Sequence, residues 1–599
     1  MTILNEKSLG LARWILPDVT LDDVERVARQ YDLPEGIARL LCQRGVAFAD
    51  VPAFLNPTLR ASFPDPFSLA GMGALADYVV QAILDKKSMA IFGDFDVDGA
   101  TASAILHRFL KACGVHAPIY IPGRLTEGYG PNVQAFEALK AQGADIVFLL
   151  DCGTTAFETI HAGREMGLEI LVLDHHEPEM TLPDAVHVIN PKRKDDESGL
   201  EVLCAAGVVF MACVAINNRL RAGGYYTGLN RQEPSCKDFL DLVALGTVCD
   251  MVPLTGVNRL FVRLGFAQMA ATPHVGLKAL IEVSGLKGAV TPSHAGFVLG
   301  PRINAGSRVH QSDLGARLLV TEDAEEARNL AWTLHDCNES RKVIQKQMEA
   351  EALAQVERFG LEAKPVIVVY DENWHAGLSG LVAGRLKEQT KKPACVITAV
   401  EREDGRKELR GSGRSVAGIH IAQAFIAARQ AGIIEKGGGH AMAGGFTLWP
   451  EKLDAFKAFL EETIATQSSG GLVVDMLVDG VLTVRGATPA FVTQIETQIG
   501  PFGQEHPEPQ FLFRNVRVHD VGIVGGAHIR VMLSDWEGGG RIKAMAFRAL
   551  GTPLGEALLK KHMVPFDVLG TLKTDDWSGS LKTEIHIRDL DFTLKGQGG

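Results

Sequence analysis

Between Ser88 and about Pro191, short apolar runs alternate with helical stretches: SMAIFGDFD, a helix from about Thr101, PIYIPG, DIVFLLDCG, EILVLDHH and HVINP. This alternation predicts a parallel α/β sheet, whose strands are buried on both faces. Open parallel sheets gather ligands at their C-terminal strand ends. Asp94, Asp96, Asp151 and Asp174 all stand where an apolar run stops. Acids distant in sequence are therefore expected to share one site, and Asp250, in TVCDMVP, is read as extending the pattern.

The rest of the 599-residue chain divides around this unit. At roughly 100–200 residues per domain, three or four domains are expected. An N-terminal segment spans 1–60, and its first 55 or so residues carry no legible chemistry. The parallel-sheet domain is assigned to 61–320, and a charged, alanine-rich connecting helix to 321–360. A smaller second α/β unit covers 361–468, running from KPVIVVYDENWHAGLSGLVAGRL to LRGSGRSVAGIHI and EKGGGHAMAGGFTL. The Ser/Gly stretch near Gln467–Gly471 marks a boundary. From 472 to 595, alternating runs such as FLFRNVRVHDVGIV and HIRVMLSD predict an antiparallel barrel of about five strands, of OB type.

Charge narrows the function classes. A net charge of -12 argues against a purely electrostatic nucleic-acid binder, so a polyanion has to be held locally, by a cleft or by metal. The N-terminus lacks a signal-peptide pattern, and the longest uncharged apolar run, Val202 to Ile216, is too short to span a bilayer; a cytoplasmic address is expected. Nine scattered cysteines with no CxxC favour reduced, structural thiols.

Asp94-x-Asp96-x-Asp98-Gly99 invites comparison with a calcium-binding EF-hand, but the twelfth position is Ile105 where a bidentate Glu is required, and a strand precedes the loop. Three carboxylates in five residues repel one another, so a cation is expected; the plainer alternative is that one or two cap the following helix. Asp174-His175-His176 adds a carboxylate and two imidazoles. Carboxylates with a minority of imidazole favour Mn²⁺ or Mg²⁺, with zinc left open. Two such ions would activate water and stabilise the attacking and leaving oxygens of a phosphodiester.

These motifs, with Asp151, Asp250 and GGGHAMAGG, resemble the DHH–DHHA1 phosphoesterase superfamily. With GPRINAGSR, NWHAGLSGLVAGRL, SGRS and the terminal barrel, the ordered set over roughly 60 to 595 is similar to its RecJ branch of bacterial single-strand-specific 5′→3′ DNA exonucleases. The resemblance implies a metal shell of Asp94, Asp96, Asp98, Asp151, His175 and Asp250, catalysis by Asp98, Asp151, His175 and His176, and His176 near the scissile phosphate. It implies substrate contacts from Arg302, Asn304, Arg308, His375, Ser412, Arg414, Gly438, Gly439 and His440. Two departures are visible: Phe95 and Val97 replace the usual Tyr and Ala between ligands, and Ala376 replaces a proline. The implied partners are single-stranded DNA, a single-strand-binding protein and a helicase.

In the barrel, Arg514, Arg517, Arg530, Arg541, Lys543 and Lys573 are candidate strand contacts, while Phe511, Phe513 and Trp577 fit core or rim equally. The expectation is metal-dependent hydrolysis of single-stranded DNA to 5′-mononucleotides. Its rivals are a phosphodiesterase for short oligonucleotides or cyclic dinucleotides, which has no need of the barrel, and a non-catalytic single-strand-binding scaffold.

Overall fold

The computed structural model describes residues 1–599 except 403, 468–473, 561–564, 576–580 and 593–599; Trp577 lies outside the described residues. Two compact units form: 64–252 with 261–471, and 1–63 with 253–260 and 472–599.

The first unit contains the predicted parallel sheet, in the order Ile119–Tyr120, Met89–Gly93, Ile146–Leu150, Glu169–Leu173, His187–Ile189, every pair parallel. Met89–Gly93 and Ile146–Leu150 are buried at every position, which explains why their apolar runs are continuous rather than alternating. The helix after the first aspartates begins at Val97, four residues before the expected start, because Asp96 caps it: its Oδ1 accepts from the backbone N–H of Asp98 at 2.9 Å and Gly99 at 3.1 Å. Asp250 departs from the expectation. It follows helix Leu240–Cys249 as its C-cap and ends no strand.

A 35-residue helix, Ala324–Arg358, leads into the second sheet of this unit. There the order is Lys436–His440, Ala443–Leu448, Lys407–Arg414, Ala394–Glu401, Ile367–Tyr370, antiparallel except for the last pair. GGGHAMAGG, which reads as glycine-rich turns, is a strand pair in which Gly438 faces Gly445. GPRINAGSR, whose Gly/Ser setting suits arginine contacts to phosphate, is the helix Gly300–Val309.

In the other unit, Gln510–Val524, His528–Asp535, Arg541–Ala546, Lys582–Asp591 and Phe566–Asp575 close into a five-stranded barrel through pairing of the first with the last. One pair, Arg541–Ala546 with Lys582–Asp591, is parallel, where an all-antiparallel barrel is expected from the sequence. The N-terminal residues belong here: strand Ala12–Leu16 pairs in parallel with Val474–Leu477, and Val24, Val27, Ile37 and Leu40 share one core with Phe513, Val531 and Ile585.

Candidate metal centre

The strand ends deliver the aspartates as the fold requires. Asp94 follows Met89–Gly93, Asp151 follows Ile146–Leu150, and Asp174 follows Glu169–Leu173. The chain turns sharply at these ends. Asp151 adopts φ +62, left-handed backbone that ordinary residues avoid. A Cβ at Gly99 would lie 2.4 Å from the carbonyl oxygen of Asp94, so only glycine lets the helix start fold back against the strand end.

Three overlapping groups emerge, each with one ligand atom per residue within 4.8 Å of the others: Asp94, Asp96 and Asp151; Asp98, His175 and Asp250; Asp151, His175 and His176. His175 Nε2 lies 3.3 Å from Asp151 Oδ1, 3.5 Å from Asp250 Oδ2 and 3.8 Å from Asp98 Oδ2. Asp94 Oδ1, Asp151 Oδ1 and both His175 ring nitrogens are buried without a hydrogen-bond partner. Leaving such atoms unpaired is costly, and cations held by these groups would satisfy the carboxylate oxygens and a ring nitrogen.

Electrostatics point the same way. Burial, then the neighbouring acids, pushes Asp94 and Asp151 well above the usual carboxylate range, Asp98 up to about 6 and Asp250 up to about 9. Asp250 also stands at the negative end of a helix. Asp98 is partly relieved by the opposite arrangement, accepting from the N–H groups of Ala205 at 2.6 Å and Ala206 at 2.9 Å, the first residues of helix Ala205–Ala222. Burial, reinforced by His176, drives His175 down to about 3, so its ring is neutral with a lone pair to offer.

Asp174 has a different task. Its carboxylate accepts from the N–H groups of Thr154 at 3.0 Å, His175 at 2.8 Å and His176 at 3.2 Å, and sits 2.7 Å from His176 Nδ1. Burial alone would raise its pKa, but the His176 bond and the other donors outweigh it and hold the carboxyl below its ordinary value. Asp174 is therefore ionised, and His176 Nδ1 carries the proton between them. For His176 burial opposes charge, yet the bond to Asp174 and the surrounding acids raise its pKa. Its Nε2 lies 3.3 Å from the Tyr129 hydroxyl.

The unit brings some of the expected substrate residues to this centre. Arg308, whose guanidinium donates to Gly377 O at 2.9 Å, feels Asp96 and three other arginines, Arg124, Arg341 and Arg414; burial, then those cations, lowers its pKa. Arg414 lies against Gly380, where an added Cβ would meet its Nη2 at 2.8 Å and Ser412 Oγ at 3.6 Å. His440, on the strand with Gly438 and Gly439, is close enough for its charge to act on His175. His375 accepts from the Gly377 N–H at 3.2 Å and so shapes the turn beneath Arg308. Asn304 Oδ1 is buried without a partner one turn before Arg308. Arg302 is not brought to the acids: buried, it donates to Val298 O at 2.7 Å and approaches His335 Nδ1 at 3.3 Å.

Four groups at the centre escaped sequence reasoning. Tyr129 donates to Asp151 O at 3.1 Å and lies 3.2 Å from His176 Nδ1. Arg124 covers the Phe95 ring at 4.6 Å and faces Asp94 and Asp96. Asn190 Nδ2 ties Thr154 Oγ1 at 2.9 Å to His176 O at 2.8 Å, and the charge of Lys192 acts on Asp250 and His175. In the barrel, Phe511 and Phe513 are core. Ion pairs occupy Arg530 (Asp520), Lys543 (Asp575 and Glu584) and Lys573 (Glu508), and Arg517 approaches Ser534 Oγ at 3.3 Å.

A parallel sheet with acidic strand ends, an Asp-His-His turn and a second sheet carrying a glycine-rich strand pair defines a DHH protein with a DHHA1 domain. Residues 88–247 match the DHH family, N-terminal domain, 363–466 the DHHA1 domain and 478–589 the RecJ OB domain. The chain is 31% identical over 598 residues to the Bacillus subtilis single-stranded-DNA-specific exonuclease RecJ, covering 98% of this chain and 72% of that protein. It is 33% identical over 525 residues to the Salmonella typhimurium protein of the same name, covering 86% and 89%. The crystal structure of RecJ in complex with Mn²⁺ from Thermus thermophilus superposes with TM-score 0.80 at 28% identity, covering 98% of this chain and 80% of that one. The chain belongs to the RecJ family.

Proposed function

We propose that this chain is a single-stranded-DNA-specific exonuclease that hydrolyses phosphodiester bonds from a 5′ end and releases 5′-mononucleotides in DNA repair and recombination. The observation carrying this reading is the set of three ligand groups linked to one another through Asp151 and His175, in a chain of the RecJ family. Asp94, Asp96, Asp98, Asp151, His175 and Asp250 would hold Mn²⁺ or Mg²⁺, as two ions; the Thermus thermophilus relative has been solved with each metal. When bound, such ions supply positive charge that activates water and neutralises the nonbridging phosphate oxygens.

The chain's own residues do the rest. His176, its Nδ1–H fixed on Asp174, presents Nε2 toward the scissile phosphate and can deliver a proton to the leaving 3′ oxygen. Arg308, Arg414 and Arg124 receive the phosphates that enter beside Asp96, where forked guanidinium contacts orient a phosphodiester. Catalysis belongs to 61–320 and phosphate holding to 361–468 across the connecting helix 321–360, while the OB barrel of 472–595 retains the strand. A single-strand-binding protein and a helicase are the proposed partners, and the cytoplasm the proposed location; among the described residues no single helix is long and apolar enough to cross a membrane.

Single strands labelled at the 5′ or 3′ end, and blunt duplex, offered with Mn²⁺ and with Mg²⁺, test the reading. Labelled mononucleotide released first from the 5′-labelled single strand is the expected outcome, with Asp98→Asn at least about 100-fold slower. Equal cleavage of duplex, or no cleavage with either metal, would count against it.

A further inference from the structure

Two exposed aromatic side chains lie on elements linked to the helix end that carries Asp250, held by groups that have no part in hydrolysis. The segment Ala295–Leu299 is a π-helical turn, and its wide winding leaves Phe297 83% exposed. The turn is anchored to the helix end that carries Asp250: Cys249 Sγ lies 3.5 Å from Ala295 O, and a Cβ at Gly300 would meet the same sulfur at 2.5 Å. Next along the chain, Val298 O receives the buried Arg302 guanidinium, which reaches on to His335. The His335 ring packs edge-on against Trp332, at 5.4 Å and 80°, and Trp332 is 56% exposed. Arg302, expected to bind phosphate, thus acts as the bracket between two aromatic groups.

The long helix also leads toward the phosphate site. On the long helix Trp332 and His335 are neighbours three positions apart, as are Asn338 and Arg341, but the nine residues from Trp332 to Arg341 turn the helix by about 180°. Arg341 stands about 14 Å from Trp332 along the axis, bonds to Asn338 Oδ1 at 3.0 Å, and its charge reaches Arg308. The long helix therefore carries Trp332 on one side and, farther along and on the other side, an arginine whose charge reaches the group near Asp96.

We propose that Phe297 and Trp332 form a shelf on which unpaired bases of the substrate strand stack. The proposal rests on the nuclease reading above and names where the strand's bases go. Stacking suits every base and so serves an enzyme indifferent to sequence. The two rings are separated by the polar Arg302–His335 bracket, unlike the continuous apolar patch that a protein partner needs. Paired bases already stack within a duplex, so the shelf also favours single strands.

The test is equilibrium binding, in EDTA, of labelled (dT)20 and of an abasic phosphodiester of equal length. The parent chain should prefer (dT)20 by about tenfold or more, and F297A/W332A should bind both strands alike. Because both side chains are exposed, their removal opens no core; Trp332→Phe supplies a conservative second measurement. It should abolish the part of the tryptophan fluorescence that (dT)20 quenches in the parent. The same preference in parent and double variant, or quenching that persists in Trp332→Phe, overturns the shelf. If the preference is present but (dT)20 is not hydrolysed with Mn²⁺ or Mg²⁺, the nuclease reading falls and the shelf stands.

Discussion

Asp98 shows how a single side chain is held for its task. It lies at the start of its own helix, and its carboxylate accepts two backbone N–H groups at the N-terminus of a second one, whose dipole favours its charge, while burial and Asp96 oppose it. Opposing forces of this kind leave it dependent on a cation. Mn²⁺ should therefore raise the melting temperature of the parent chain, since a ligand bound only by the folded state stabilises it by mass action. In Asp98→Asn that shift should fall by half or more, as scanning calorimetry with and without EDTA would show; an undiminished shift would remove Asp98 from the metal shell. The acidic residues were legible because aspartates at strand ends follow a general rule of parallel sheets. Tyr129 and Arg124 follow strand Ile119–Tyr120, and Asn190 and Lys192 follow His187–Ile189, so the same rule covered them. They were missed because it was applied to acids alone.

Individual elements carry their own vulnerabilities. His506 lies between the π-helical turn Ile495–Ile499 and the first barrel strand, its Nε2 2.9 Å from Ile499 O and its ring stacked on Phe502 at 5.8 Å. Burial, with Arg44 and Arg259 nearby, pushes its pKa down to about 4. The folded state thus keeps this ring neutral, whereas the unfolded chain protonates it below about 6.5. Its contribution is present above about 6.5 and is lost as pH falls toward 4. Between pH 7.5 and 5.0 the loss from this group is on the order of 2 kcal/mol. Urea midpoints at the two pH values should converge in His506→Asn relative to the parent, and an identical pH dependence in both would refute the assignment. Elements were also where sequence reading failed most plainly. Glycine-rich Lys436–His440 and Ala443–Leu448 lack the side chains by which strands are recognised; their glycines make room for Phe425, which an added Cβ at Gly444 would meet at 2.9 Å. Asp250 looked like a strand-end acid because TVCDMVP is apolar before it, and periodicity over so short a run does not separate helix from strand.

At the scale of the whole molecule, the N-terminal 63 residues and the barrel form one body. Removing the barrel to test its role in DNA binding would strip Val24, Val27, Ile37, Leu40, Leu41 and Val51 of their partners in a common core. Each such side chain contributes about 1.5–3 kcal/mol on burial. A chain ending at residue 471 should therefore bind hydrophobic dyes and lose its first 60 or so residues to limited proteolysis, whereas one spanning 64–471 should resist both. Equal protease resistance of the two would show that the N-terminal segment stands alone. This union was invisible in the sequence, because the partners of strand Ala12–Leu16 and its following helices lie more than 450 residues downstream and no local pattern records a distant partner. It also sets a schedule for synthesis. At about 5–20 residues per second on the ribosome, the first strand waits roughly half a minute to a minute and a half for Val474–Leu477 to be made, while the catalytic unit completes itself in between. Residues translated well before the catalytic unit are thus among the last to find their place, and for that interval their apolar side chains are the part of the nascent chain most in need of a chaperone.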